Sequence, residues 1–162
     1  DLNMGVYYYY TNREKRFNPY AGVSGFHLTS PTESLFDNED SFLPFRVVGH
    51  GGSKIKLTEN IDIDPSFAYM YQAKTTDLNV GIMSNFFFPQ QNADLMLGIY
   101  YRDKDAVIFH TGFVYREYIF RVSYDINTSA LSTYTNGRGG IELSITYTKK
   151  AAQYTPSLVP TF

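Results

Sequence analysis

Apolar and polar residues alternate with a period of two along most of this chain, and no other feature constrains its fold as strongly. In Ile141-Glu142-Leu143-Ser144-Ile145-Thr146-Tyr147-Thr148 every odd position is apolar or aromatic and every even one polar. Tyr118, Phe120, Val122 and Tyr124 form the same stripe, with Arg121, Ser123 and Asp125 between them. Successive side chains of a strand point to opposite faces, so each run reads as a strand with one apolar and one polar face. Further stripes are Val107, Phe109, Phe113 and Tyr115; Leu95, Leu97, Ile99 and Tyr101; Leu78, Val80 and Ile82; and Ile61, Ile63, Phe67, Tyr69 and Tyr71. Ile55 and Leu57 give a short stripe, and the segments from Leu2 to Thr11 and from Tyr20 to Leu28 a less regular one. The pattern predicts roughly nine strands.

The connections suit a meander. Arg102-Asp103-Lys104-Asp105 and Arg116-Glu117 are short polar joints of the kind that hairpins need. Longer joints are expected over Thr29 to Phe42, Pro89 to Ala93 and Asn127 to Gly140, and no long helix-period segment interrupts the series.

Alternation alone does not separate a soluble sandwich from a membrane barrel. The barrel is favoured by aromatic clusters at strand ends: Tyr7 to Tyr10, Tyr69 and Tyr71, Phe86 to Phe88, Tyr100 and Tyr101, and Tyr147. Small residues on the polar face (Gly5, Gly22, Ser24, Gly81, Gly98, Gly112 and Ser144) suit a crowded lumen. No stretch approaches the roughly 20 apolar residues of a membrane helix. Transmembrane strands need only about 10 residues each and alternate in polarity, so a mean hydropathy of −0.28 is compatible with a barrel.

Composition narrows the chemistry. With 15 Tyr, 13 Phe and no Trp, the aromatic bias favours strands. A net charge of −2 without a basic stripe gives no reason to expect nucleic acid. The absence of cysteine excludes disulfides, thiolate metal sites and thiol nucleophiles.

The candidate sites read mostly as bracing. Ser123 with His110 is the one imaginable nucleophile–base pair, but no acid is placed with them and no nucleophile elbow occurs, so no catalysis is expected. Asp62/Asp64 and Asp103/Asp105 would offer oxygen ligands to a hard cation, yet no calcium-loop pattern follows them, and neither metal nor cofactor is expected. Arg121 and Glu142 occupy polar positions of the last two strands and would form an ion pair across the lumen wall if those strands pair. Arg102, Asp105 and Asp125 complete the set of lumen candidates. The loop from Thr29 to Phe42 carries Glu33, Asp37, Glu39 and Asp40, an acidic surface or a partner contact.

Four motifs, in order, carry a resemblance. Gly22-Val23-Ser24-Gly25-Phe26-His27-Leu28 is followed by Ser30-Pro31, and Gly98-Ile99-Tyr100-Tyr101-Arg102 by Asp105-Ala106. Then come Val122-Ser123-Tyr124-Asp125-Ile126 with Ser129 and Leu131, and Gly140-Ile141-Glu142-Leu143-Ser144-Ile145. Together they resemble the C-terminal half of the PorP/SprF family, outer-membrane proteins associated with type IX secretion and gliding motility in Bacteroidota. The last strand of such proteins commonly begins His-Glu; Ile141-Glu142 stands here instead, so any role of that histidine is absent.

The resemblance implies an all-β, transmembrane, antiparallel up-and-down barrel of which this chain is one part, since members are roughly twice as long. Strands are expected within 1–150 and an extended tail over 151–162, where Pro156 and Pro160 disfavour a strand. It also implies location in the bacterial outer membrane and a role in secretion and in anchoring surface adhesins. The implied partners are outer-membrane lipid, a secreted adhesin or its C-terminal domain, and periplasmic type IX components. A passive porin is the alternative.

Overall fold

The computed structural model describes residues 1–12, 14–32, 42–129, 132–135 and 137–148. The acidic residues of the 29–42 loop and the tail over 151–162 lie outside the described residues. Nine strands form one sheet in the order of the sequence: β1 (Met4–Tyr9), β2 (Phe17–Phe26), β3 (Arg46–Lys56), β4 (Ile61–Gln72), β5 (Thr75–Phe88), β6 (Ala93–Arg102), β7 (Ala106–Tyr115), β8 (Tyr118–Asn127) and β9 (Arg138–Tyr147). Every neighbouring pair is antiparallel, so the chain is an up-and-down meander. A 3₁₀ turn over Pro89–Gln91 and a four-residue helix α1 (Ser132–Thr135) sit in connections. No helix among the described residues is long and apolar enough to cross a membrane.

Registers pass the alternation from strand to strand without loss. Ile82, Ile99 and Phe109 lie in one row across β5, β6 and β7, and Phe109 continues to Tyr124 and Ile141. This face is mostly apolar, with Ser53, Ser84 and Thr111 as small polar exceptions. The opposite face carries Arg46, Lys54, Lys56, Asp62, Asp64, Asp77, Asp94, Arg102, Arg121, Asp125 and Glu142, by the same registers. The burial is inverted relative to a soluble protein. On the polar face Ser123 and Asp62 are 7% and 5% exposed, whereas Leu97 and Phe109 on the apolar face are 45% and 46% exposed. A flat single layer would expose both faces alike, so the sheet curls around its polar side. Its edges β1 and β9 are not joined to each other.

The aromatic side chains of the apolar face lie towards its two ends. Phe113, Tyr115, Tyr118, Phe120 and Tyr147 form a stacked group at one end, with Phe113–Tyr115 and Tyr118–Phe120 centroids 6.2 and 6.3 Å apart. Tyr69, Tyr71, Tyr101 and Tyr124 lie towards the other end, and aliphatic residues such as Leu97, Val122 and Leu143 lie between. The first end carries the connections 10–16, 57–60, 89–92 and 116–117; the second carries 27–45, 73–74, 103–105 and 128–137.

Three sequence expectations change. The short Ile55/Leu57 stripe is the end of an 11-residue strand, β3, whose apolar-face positions include Gly49, Gly51 and Ser53 and so show no stripe. Leu57 itself falls in the turn. The tyrosines at strand ends do not all belong to the apolar face either: Tyr7, Tyr9, Phe87 and Tyr100 point to the polar side. Consecutive strand residues alternate, so a run such as Tyr7 to Tyr10 must divide between faces.

The concave face as candidate functional surface

Large side chains of the concave face lie over glycines of the adjoining strand. Tyr20 on β2 stands opposite Gly52 on β3, Gly52 opposite Ser66 on β4, Ser66 opposite Gly81 on β5, and Gly81 opposite Tyr100 on β6. The row Tyr–Gly–Ser–Gly–Tyr thus crosses five strands. Each ring reaches over its glycine to β4: the Tyr20 hydroxyl donates to Asp64 Oδ1 at 2.9 Å, and the Tyr100 hydroxyl lies 3.4 Å from Ser66 Oγ. A Cβ on Gly52 would stand 2.5 Å from the Tyr20 hydroxyl, and one on Gly81 would overlap the Tyr100 ring. Tyr7 repeats the device, stacking over Gly22 on the His50 ring two strands away, with centroids 5.6 Å apart. Met83 over Gly98 and Met96 over Gly112 do the same with aliphatic arms. Paired large and small residues let a curled inner face fill its limited volume without clashes.

The polar bonds of this row coincide with a gap in the sheet. Between Gly52–Ser66 and Ile55–Ile63 the β3–β4 pairing skips two positions, where Pro65 has no N–H to return to the ladder. There, Lys54 Nζ reaches the buried Asp62 carboxylate at 3.2 Å while Tyr20 holds Asp64. Side chains of β2 and β3 thus hold β4 where the β3–β4 ladder is interrupted.

At the opposite end Arg102, Asp105 and Asp125 come together. The guanidinium donates to Asp105 at 3.0 Å and lies 3.6 Å from Asp125, joining the β6–β7 turn to β8. The Asp105 carbonyl accepts the N–H groups of Thr128 and Ser129 at 2.7 and 3.1 Å, which fastens the following loop to the same turn. These groups are partly solvated, so they fix geometry more than they add stability.

The structure does not join Arg121 to Glu142. Both face the concave side, but Arg121 stands opposite Gly112 and Ser144, and Glu142 opposite Ser123. The register offsets them diagonally, and no ion pair links them among the described residues. The register does bring His110 opposite Ser123, the pair the sequence offered as a nucleophile and base. The histidines are dispersed: His27 Nδ1 lies 2.6 Å from Asp1, His50 lies under Tyr7, and His110 packs edge-on against Tyr100. Asp62 and Asp64 share a face as expected, but each is engaged by a different side chain, and no metal-binding group of three occurs among the described residues.

Sequence reasoning missed Tyr20, Gly52, Ser66 and Lys54 as partners. A tyrosine and a glycine on separate polar stripes carry a signal only once their register is known.

A single curled sheet with a mostly apolar outer face and its strand charges, Arg138 at the β8–β9 bulge apart, on its inner side defines a membrane protein of the β-barrel type. Within that class the chain belongs to the PorP/SprF family: residues 1–147 match the family model described as type IX secretion system membrane protein PorP/SprF. No curated protein and no solved structure matches the chain.

Proposed function

We propose that this chain forms part of an outer-membrane barrel that holds exported partners at the bacterial surface during type IX secretion. The observation that carries this reading is the family match over 1–147, borne on a sheet whose apolar face suits outer-membrane lipid. The end with the shorter connections faces the periplasm and meets periplasmic secretion components, as short turns do in outer-membrane barrels. The longer connections face outward, towards a secreted adhesin or its C-terminal domain, and the gliding role follows from such anchoring.

The proposed role is not enzymatic. His110, Ser123 and Glu142 lie in one row with the hydroxyl in the middle. A nucleophile–base–acid relay instead places the imidazole between the other two groups.

Detergent extraction of the full-length protein from native membranes, followed by affinity purification, tests the reading. Type IX components and an adhesin are expected to co-purify. A lone barrel that conducts ions in liposomes would favour the passive porin and overturn the anchoring role.

A further inference from the structure

The end of the concave face near the short connections holds a cavity of about 450 Å³ that the secretion reading does not use. Tyr7, Tyr9, Tyr20, Lys54, Asp62 and Asp64 supply its concave-face wall, and the turn after β1 closes one side through Tyr10, Thr11 and Asn12. We propose that this cavity binds a neutral oligosaccharide, with the Tyr9 ring stacked on a sugar face and the two carboxylates accepting its hydroxyls.

Four observations carry the assignment. The volume falls within the roughly 300–1,000 Å³ typical of small-molecule sites. The Tyr7 and Tyr9 rings both line the cavity and stack 5.9 Å apart at 24°, a braced aromatic pair that suits a flat ligand with an apolar face and polar edges. The charges balance: Lys54 and Lys56 line the cavity together with Asp62 and Asp64, so it carries no net field to select an anion or a cation. Among the described residues each carboxylate is held by one side chain: Tyr20 donates to Asp64 Oδ1 and Lys54 to Asp62 Oδ2, and both groups line the cavity, where the second oxygen of each can accept an incoming hydroxyl.

The site is longer than one ring. A second hollow of about 620 Å³ shares Lys56 and Asp62 with the first and runs out between Arg16, Thr58 and Glu59. A chain of sugars entering from that end would therefore leave its terminal unit against Tyr9. Asn18 belongs to the scaffold, because it accepts the Asn12 N–H at 2.6 Å and donates to the Lys15 carbonyl at 3.1 Å.

Titration calorimetry on the full-length protein, in a detergent without a sugar headgroup, tests the site with cellohexaose, maltohexaose and tetra-N-acetylchitotetraose. At least one should bind. Tyr9→Ala should weaken that binding tenfold or more, and Tyr9→Phe should retain most of it. Tyr8→Ala, on the same strand but the opposite face, should leave it unchanged, with heat-modifiable migration confirming that all variants fold. Failure of all three sugars to bind overturns the proposal, as does equal binding by Tyr9→Ala. So does Tyr9-dependent binding of trilysine, triglutamate or inorganic phosphate in place of sugar. None of these outcomes depends on whether secretion partners co-purify.

Discussion

Glycines on the polar stripe are the residues whose role changes most between sequence and structure. Gly81 reads as a generic small residue of a crowded lumen and Gly52 carries no signal at all, but the two are the floors on which Tyr100 and Tyr20 lie. Adding a methyl group at Gly81 forces the Tyr100 ring off its place and breaks its contact with Ser66. Overpacking of this kind costs about 1–3 kcal/mol. Gly81→Ala should therefore lower the denaturant midpoint of the folded, heat-modifiable species. Gly81→Ala with Tyr100→Ala should recover part of the loss, and the double-mutant cycle reads the coupling directly. Gly49 is the internal control: nothing lies within 4 Å of where its Cβ would be, so Gly49→Ala should be nearly silent.

Hairpins show why element boundaries were only partly legible. The β4–β5 turn is Ala73-Lys74, with φ values of 49° and 64°, although neither residue favours the left-handed region. A two-residue turn of this kind prefers Asn-Gly, so no turn signal marked it, and the stripes of β4 and β5 had to be joined without one. Each L residue held there costs about 1–2 kcal/mol. Replacing both, Ala73→Asn with Lys74→Gly, should raise stability by about 1 kcal/mol after allowing for the looser unfolded chain. Urea unfolding followed by gel migration checks it. Strand β3 was underread for a related reason: glycines and a serine at its apolar-face positions erased the period over most of its length.

Over the whole sheet, facing decides what a substitution does. Leu97 sits mid-strand on the apolar face between Ser84 and Thr111. Arginine there should cost about 2–4 kcal/mol in a bilayer, while Ser144→Glu on the concave face, opposite Arg121, should cost little. Folding yields into lipid vesicles would separate the two, and equal effects would argue against the assignment of faces. Direction matters as well. Nine antiparallel strands leave β1 and β9 running the same way, so joining those two edges directly would make a parallel seam. An all-antiparallel closure places an odd number of further strands between them. The chain has no cysteine of its own to compete in disulfide trapping. In the full-length protein a Val122→Cys/Leu143→Cys pair, opposite each other in β8 and β9, should cross-link. Val6→Cys with Leu143→Cys should not.

The sequence by itself determined most of the strands and their two faces. These follow from local period-two alternation, and every small residue assigned to the polar side does lie there. It also singled out Arg102, Asp105 and Asp125; the short β6–β7 turn joins the first two, and register brings Asp125 beside them. Tertiary structure alone decided which polar residues meet across strands. Register is a long-range property, set by how whole strands slide against one another, and a pairwise contact is invisible until it is fixed. Register separated Arg121 from Glu142, placed His110 opposite Ser123, and laid tyrosines over glycines two or more strands from the groups they bond.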